Sequence, residues 1–169
     1  MMSECILVGI DSSTSKTGLS VFINGKYSKC ILINKSNIKD SNEKYKEMCA
    51  SIIDTLNDIK PHIVVIERMH TIRNADSFRK LCKLMGAVQC WCILNRSDYI
   101  ELSPTEWRKE VNDTGEKLPR KRDELKLWSV SLVNKKYGIE VTDDVADAIC
   151  IGEAYVNKWK GITNGSKEN

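Results

Sequence analysis

The chain has 169 residues, enough for one domain with a core of its own. Hydrophobic residues make up 41% and charged residues 29%, with 3 Pro and 9 Gly, which excludes collagen-like and low-complexity chains and is too apolar for a disordered one. The net charge is only +3, so where the charges lie says more about partners than their sum.

The longest apolar runs, Cys5 to Ile10 and Ile63 to Ile66, are too short to span a bilayer, and Glu4 with no basic stretch beside it does not read as a secretory leader. A soluble cytosolic protein with no membrane partner is the expectation. Cys5 to Ile10 reads as a buried strand ending at Asp11. Ser12 to Lys16 is turn-like, and Gly18 to Ile23 is a second strand. Asn24-Gly25 signals a two-residue hairpin into a third strand, Tyr27 to Ile33. Glu43 to Ile59 carries a helical apolar stripe, with Asp40 as cap and Pro61 as stop. Ile63 to Ile66, apolar throughout, predicts a strand covered on both faces and ending at Glu67.

Asn74 caps a long helix with Phe78, Leu81, Leu84, Met85, Val88, Trp91 and Leu94, apolar over more than one face. A surface helix of a monomer needs only one apolar stripe, so a second copy of the chain is the expected partner. Tyr99 to Leu102 is a fifth strand. Ser103-Pro104-Thr105-Glu106 is a capping box with Pro at the first helical position. Asn112 to Lys117 is a loop, Pro119 starts a helix stopped by Gly138, and Thr142 caps a last helix running to about Trp159. The order predicts an α/β fold, one mixed five-stranded sheet with helices on both faces. Residues 1–160 form the domain and 161–169 a polar, disordered tail.

The seven cysteines are odd in number and form no CxxC pair, which reads as buried thiols in a reducing compartment, not a zinc site. Two basic runs stand out. One holds Arg68, Arg73, Arg79, Lys80, Lys83 and Arg96 against a single acid, Asp76; the other is Lys117-Leu-Pro-Arg120-Lys121-Arg122. Such runs are either solvated faces or a polyanion-binding surface.

Four acids are placed where α/β folds build sites. Asp11 and Glu67 end buried strands, and Asp144 and Asp147, three apart, share one helix face. Alone, Asp11 could form a turn and Asp144 could answer the helix dipole. Together, four carboxylates repel unless cations neutralise them, and all-oxygen donors suit Mg²⁺ or Mn²⁺. Two such ions about 3.5–4 Å apart form the clamp that cleaves phosphodiesters.

Gly9-Ile10-Asp11-Ser-Ser-Thr-Ser-Lys-Thr17-Gly18, Ile66-Glu67-Arg68, Asn74-Ala75-Asp76-Ser77 and Asp144-Val-Ala-Asp147-Ala148 together resemble the RuvC family of Holliday-junction resolvases, over about Leu7 to Tyr155. Shorter, divergent chains of this kind resemble the family's phage-type branch. The resemblance implies an RNase H-like fold and a homodimer that nicks two strands of a four-way DNA junction symmetrically with Mg²⁺, two ions per site, Mn²⁺ substituting. It assigns Asp11, Glu67, Asp144 and Asp147 as catalytic, metal-holding acids. It also implies a junction-entering loop from Arg68 to Arg73, with His70 at the family's aromatic position, either stacking on a base or simply exposed. Its basic residues fall on Arg108 or Lys109 and on Lys121 or Arg122. The expected DNA contacts are Arg68, His70, Arg73, Arg79, Lys80, Arg108, Lys109, Lys121 and Arg122. A broader fork or flap nuclease, or a non-catalytic junction-binding protein, are the alternatives. The first motif is also similar to the phosphate loop of sugar kinases and actin-like ATPases, but those folds need far more chain and a second glycine-rich loop.

Overall fold

The computed structural model describes residues 4–69 and 74–165, with side chains to Trp159. Ten elements follow in order: β1 (Ile6–Asp11), β2 (Lys16–Ile23), β3 (Lys26–Asn34), α1 (Ser41–Ile59), β4 (Ile63–Glu67), α2 (Ala75–Asn95), β5 (Asp98–Leu102), α3 (Pro104–Val111), α4 (Arg122–Tyr137) and α5 (Asp143–Gly165). The sheet order is β3-β2-β1-β4-β5; β1 runs antiparallel to β2 and parallel to β4, which is parallel to β5. The expected mixed five-stranded sheet is therefore present.

Alternation along the strands divides the core into two layers. Val8 and Ile10 of β1 and Val64 and Ile66 of β4 meet Met48, Ile52 and Leu56 of α1 and Leu84 and Val88 of α2. Leu7 and Val65 face the other way, with Trp107 of α3, Val133 of α4 and Ile149 of α5. By the same alternation Asp11 and Glu67 point to the α3–α5 side.

Local signals explain the boundaries. Asn24 and Gly25 take the left-handed backbone the hairpin needs, with φ of 50° and 73°. Asp40 accepts from the amides of Asn42 and Glu43, and Asn74 from that of Ser77. The Ser103–Glu106 capping box is fully formed. Gly138 ends α4 in the left-handed region, whereas α1 ends one residue before Pro61, on left-handed Lys60.

Two expected boundaries are corrected. The helix foreseen from Pro119 begins at Arg122, with Lys121 as a cap that makes no side-chain hydrogen bond. Three cations at a helix N-terminus oppose the helix dipole; the later start puts Asp123 and Glu124 in the first turn instead. The last helix, foreseen to end near Trp159, runs through Gly165, so residues 161–165 of the expected tail are helical. Extending a formed helix needs no new nucleus, so weak formers such as Gly161 and Thr163 are carried along.

Helix α2 buries Leu84, Met85, Val88, Trp91 and Cys92, with the Trp91 indole donating to Asn57 Oδ1 at 2.7 Å. Its last turn leaves Ile93 and Leu94 69% and 83% exposed. All seven cysteines are free thiols. No helix among the described residues is long and apolar enough to cross a membrane.

Candidate active site

The register of β1 and β4 pairs Ile10 with Ile66, so Asp11 and Glu67, one residue further on, stand side by side at the same sheet edge. Helix α5 completes the group because its backbone lies directly on the strands. A Cβ on Gly9 would stand 2.6 Å from the carbonyl oxygen of Ala148, and one on Gly18 would stand 2.9 Å from Val145 Cα. Only glycine permits that approach. The buried Ser20 hydroxyl anchors the helix, donating to the Ala148 carbonyl at 2.7 Å. Since Gly18 pairs with Asp11, seating α5 on Gly18 brings Asp144 beside Asp11, and Asp147 follows one turn on.

All four acids line one cleft of about 470 Å³, with Arg68, Arg108, Arg120, Arg122 and Lys126 on its walls. Burial pushes the Asp11 carboxyl well above the usual carboxylate range, and the charges of Asp147, Glu67 and Asp144 add to the shift. Asp147 is pushed up to about 6 by burial, against the pull of the Ser129 hydroxyl and the Arg108 guanidinium. Asp144 is raised by burial and by Asp143, against Lys126 and Lys16. Burial and mutual repulsion thus oppose ionisation of three of the four.

The basic residues separate by position. Arg108 reaches the cleft while Lys109 is exposed outside it; Arg122 reaches it while Lys121, 82% exposed, pairs with Glu124 at 3.5 Å. The Arg108 guanidinium lies 4.4 Å from the centre of the Trp107 ring, and its Nε is buried with no hydrogen-bond partner among the described residues. Arg68 is half-exposed between Glu101 at 3.7 Å and Glu106 at 4.0 Å. Arg79 and Lys80 line a separate groove with Lys46 and Lys83. Lys80 is buried there, and its ammonium is held by Ser41 Oγ at 2.7 Å and Asp76 Oδ2 at 2.5 Å, so it ties α2 to the start of α1 where a DNA contact was expected. His70 and Arg73 lie outside the described residues.

Three residues in or behind the cleft went unnoticed in the sequence. Lys126 contacts the Asp143 carboxylate and faces Asp11 and Asp144. The Ser129 hydroxyl, which donates to the Leu125 carbonyl at 3.3 Å, lies beside Asp147 and pulls its pKa down against burial. Arg122, Lys126 and Ser129 recur at helical spacing, a polar stripe that was legible. Trp107, fully buried, donates its indole N–H to Glu67 Oε2 at 2.7 Å, and no local pattern announces it.

Among the described residues no group of three or more His, Cys, Asp or Glu side chains is arranged to hold a metal ion as it stands. The donor set is nevertheless carboxylate throughout, and Asp147 Oδ1 is a buried acceptor with no hydrogen-bond partner among them. Those features fit an oxygen-liking divalent cation.

The profile of the family described as "Crossover junction endodeoxyribonuclease RuvC" matches residues 7–152. The chain belongs to the RuvC family. Curated relatives carrying the same description include one from Carboxydothermus hydrogenoformans, 28% identical over 163 residues, 92% of this chain and 98% of that relative. Another, from Hydrogenovibrio crunogenus, is 22% identical over 149 residues, 85% of this chain and 82% of that relative. These relatives are bacterial and lend no support to the phage-type branch. Among solved structures, Thermus thermophilus RuvC with a Holliday junction substrate superposes with a TM-score of 0.68 at 16% identity, covering 93% of this chain and 96% of that one. The yeast mitochondrial Holliday junction resolvase gives 0.64 at 12%, covering 94% and 80%. These likenesses establish the RNase H-like fold of the RuvC-family chain.

Proposed function

We propose that this chain is a structure-selective DNA endonuclease, a crossover junction endodeoxyribonuclease, that resolves four-way junctions by nicking two strands symmetrically as a homodimer. The reading is carried by one observation: four carboxylates from three separate elements meet in a single cleft walled by arginines. The RuvC-family profile and the resolvase structures named above support the substrate class. The nuclease domain is residues 1–160, and DNA as the substrate puts the work in a cytoplasm, bacterial or infected-host.

Asp11, Glu67, Asp144 and Asp147 would hold divalent ions, Mg²⁺ or Mn²⁺, two per site. When bound, such ions ready a water for attack and stabilise the leaving oxygen. The chain's own residues do the rest. The acids repel a phosphodiester, so the cations opposite them hold it in place. Arg108, partly desolvated against Trp107, and Arg122 counter the charge that builds on the phosphate in the transition state. Arg68, Arg120 and, further out, Arg79 contact neighbouring phosphates, which bind duplex arms without reading sequence. His70 and Arg73, which follow Arg68 in the sequence and lie outside the described residues, are further expected contacts, while Lys109 and Lys121 contribute only long-range attraction. The exposed apolar end of α2, Ile93 and Leu94, supports packing on a second copy, and a two-fold dimer matches a two-fold junction.

The test sets labelled four-way junction, fork, flap and linear duplex side by side in Mg²⁺. Wild type cuts the four-way junction at paired positions, and Asp11→Asn binds it without cutting. Cleavage by Asp11→Asn near the wild-type rate would falsify the site, equal cutting of forks and flaps would replace the substrate with branched DNA in general, and a species of only 19.2 kDa in sedimentation at micromolar protein would remove the dimer.

A further inference from the structure

We propose that Trp107 is a positioning residue for Glu67: its indole N–H grips one oxygen of that carboxylate and so fixes the other as a donor to the metal in the cleft. This rests on the reading of Glu67 as a metal ligand. The bond runs from Trp107 Nε1 to Glu67 Oε2 at 2.7 Å and joins α3 to the end of β4, 40 residues apart in the chain. It engages Oε2 and leaves Oε1 for the cleft that Glu67 lines.

Glu67 needs such a partner more than the other three acids do. It is the one glutamate of the set, with a longer arm and one more rotatable bond than an aspartate, and it stands half-buried at a strand end. Left alone it samples several rotamers, and that freedom is lost on metal binding. Trp107 has none of that freedom. It has no exposed surface and packs with Leu102, Val111 and Ile149, so its N–H is aimed by the core. An indole is a donor only and needs an acceptor when buried; here the acceptor is Glu67. The same ring carries the Arg108 guanidinium, so one residue of α3 holds an acid of the cleft and the next holds a cation against it. Partners that orient a metal-binding carboxylate in this way contribute about 10–100-fold to metal affinity.

The experiment measures Mn²⁺ binding without DNA or turnover, by the paramagnetic resonance signal of the free ion. Trp107→Phe keeps a ring in the core and removes the donor, and a thermal melt in chelator checks that the variant is folded. The expected result is an Mn²⁺ dissociation constant about tenfold higher for Trp107→Phe, a rise for Glu67→Gln, and no further loss when the two are combined. If Glu67→Gln binds more weakly but Trp107→Phe binds like wild type, the positioning role is overturned and the metal site stands. If Glu67→Gln itself binds like wild type, Glu67 is no ligand and the reading beneath the proposal fails. If the two losses multiply in the double variant, Trp107 acts on the fold and not through Glu67, which also overturns it. Should Trp107→Phe not fold, benzothienylalanine at position 107, an indole isostere with sulfur in place of the N–H, makes the same comparisons.

Discussion

Gly18→Ala tests how the acids are brought together. The added methyl carbon would stand 2.5 Å from the Asp144 carbonyl carbon and 2.9 Å from Val145 Cα, whereas carbon atoms settle at about 3.5–4.0 Å. Both obstacles are α5 backbone, so no side chain can swing aside; the helix start must move by about 1 Å. Gly18 sits at an ordinary strand backbone angle, so the cost is contact alone. Overpacking of this kind costs about 1–3 kcal/mol, and a backbone obstacle belongs at the upper end. In a chain of this length about 3 kcal/mol lowers the melting temperature by about 6–12 °C. A displacement of about 1 Å at Asp144 also lowers single-turnover junction cleavage by about 100-fold. The internal comparison is Gly86→Ala on α2, where nothing lies within 4 Å of the added atom and about 0.5–1 kcal/mol is gained. Thermal melts by circular dichroism and rates at saturating protein decide the matter. A Gly18→Ala variant that melts and cuts like wild type would show that α5 is not seated on β2 as described.

Other substitutions separate the roles of the charged groups. Asp11→Asn removes a buried charge opposed by three carboxylates, so in chelator it raises stability by about 1–2 kcal/mol while activity is lost; Mg²⁺ then raises the melting temperature of wild type but not of the variant. A lower melting point for the variant in chelator contradicts the repulsion. Arg108→Gln lowers the single-turnover rate by about 100-fold or more at unchanged junction affinity, whereas Lys109→Gln, outside the cleft, cuts at the wild-type rate; equal losses would erase the distinction. Lys80→Met lowers the melting temperature and leaves the salt dependence of junction binding intact, because the ammonium is engaged by Ser41 and Asp76. Arg79→Gln flattens that dependence by about one unit of slope with little change in stability. The opposite pattern would return Lys80 to the DNA surface.

Much of the fold was legible because it rests on local chemistry. Period-two runs, the Asn24-Gly25 turn and the caps at Asp40, Asn74 and Ser103 act within a few residues, and each element they predicted is present. The four acids were legible for a related reason: a carboxylate at the end of an apolar strand, or in the first turns of a helix, has few bland explanations, and four at such places in chain order are specific. The resemblance to the RuvC family rested on those same positions, and the family profile bears it out.

What the tertiary structure decided is how elements face one another. Neighbouring residues on a helix point about 100° apart, so Arg108 against Lys109 turned on the rotation of α3 about its axis, which packing sets, and Arg122 against Lys121 on where α4 begins. Lys80 reads as one more cation in a basic run until α1 closes over it. The dipole-driven start of α4 at Arg122 came from a balance of charges that a Pro signal masked. Trp107 and Glu67 lie 40 residues apart, and no local pattern links an indole on a short helix to a carboxylate at a strand end. Sequence alone determined which residues carry charge and which elements form; the contacts that aim those charges are long-range, and only the packed chain contains them.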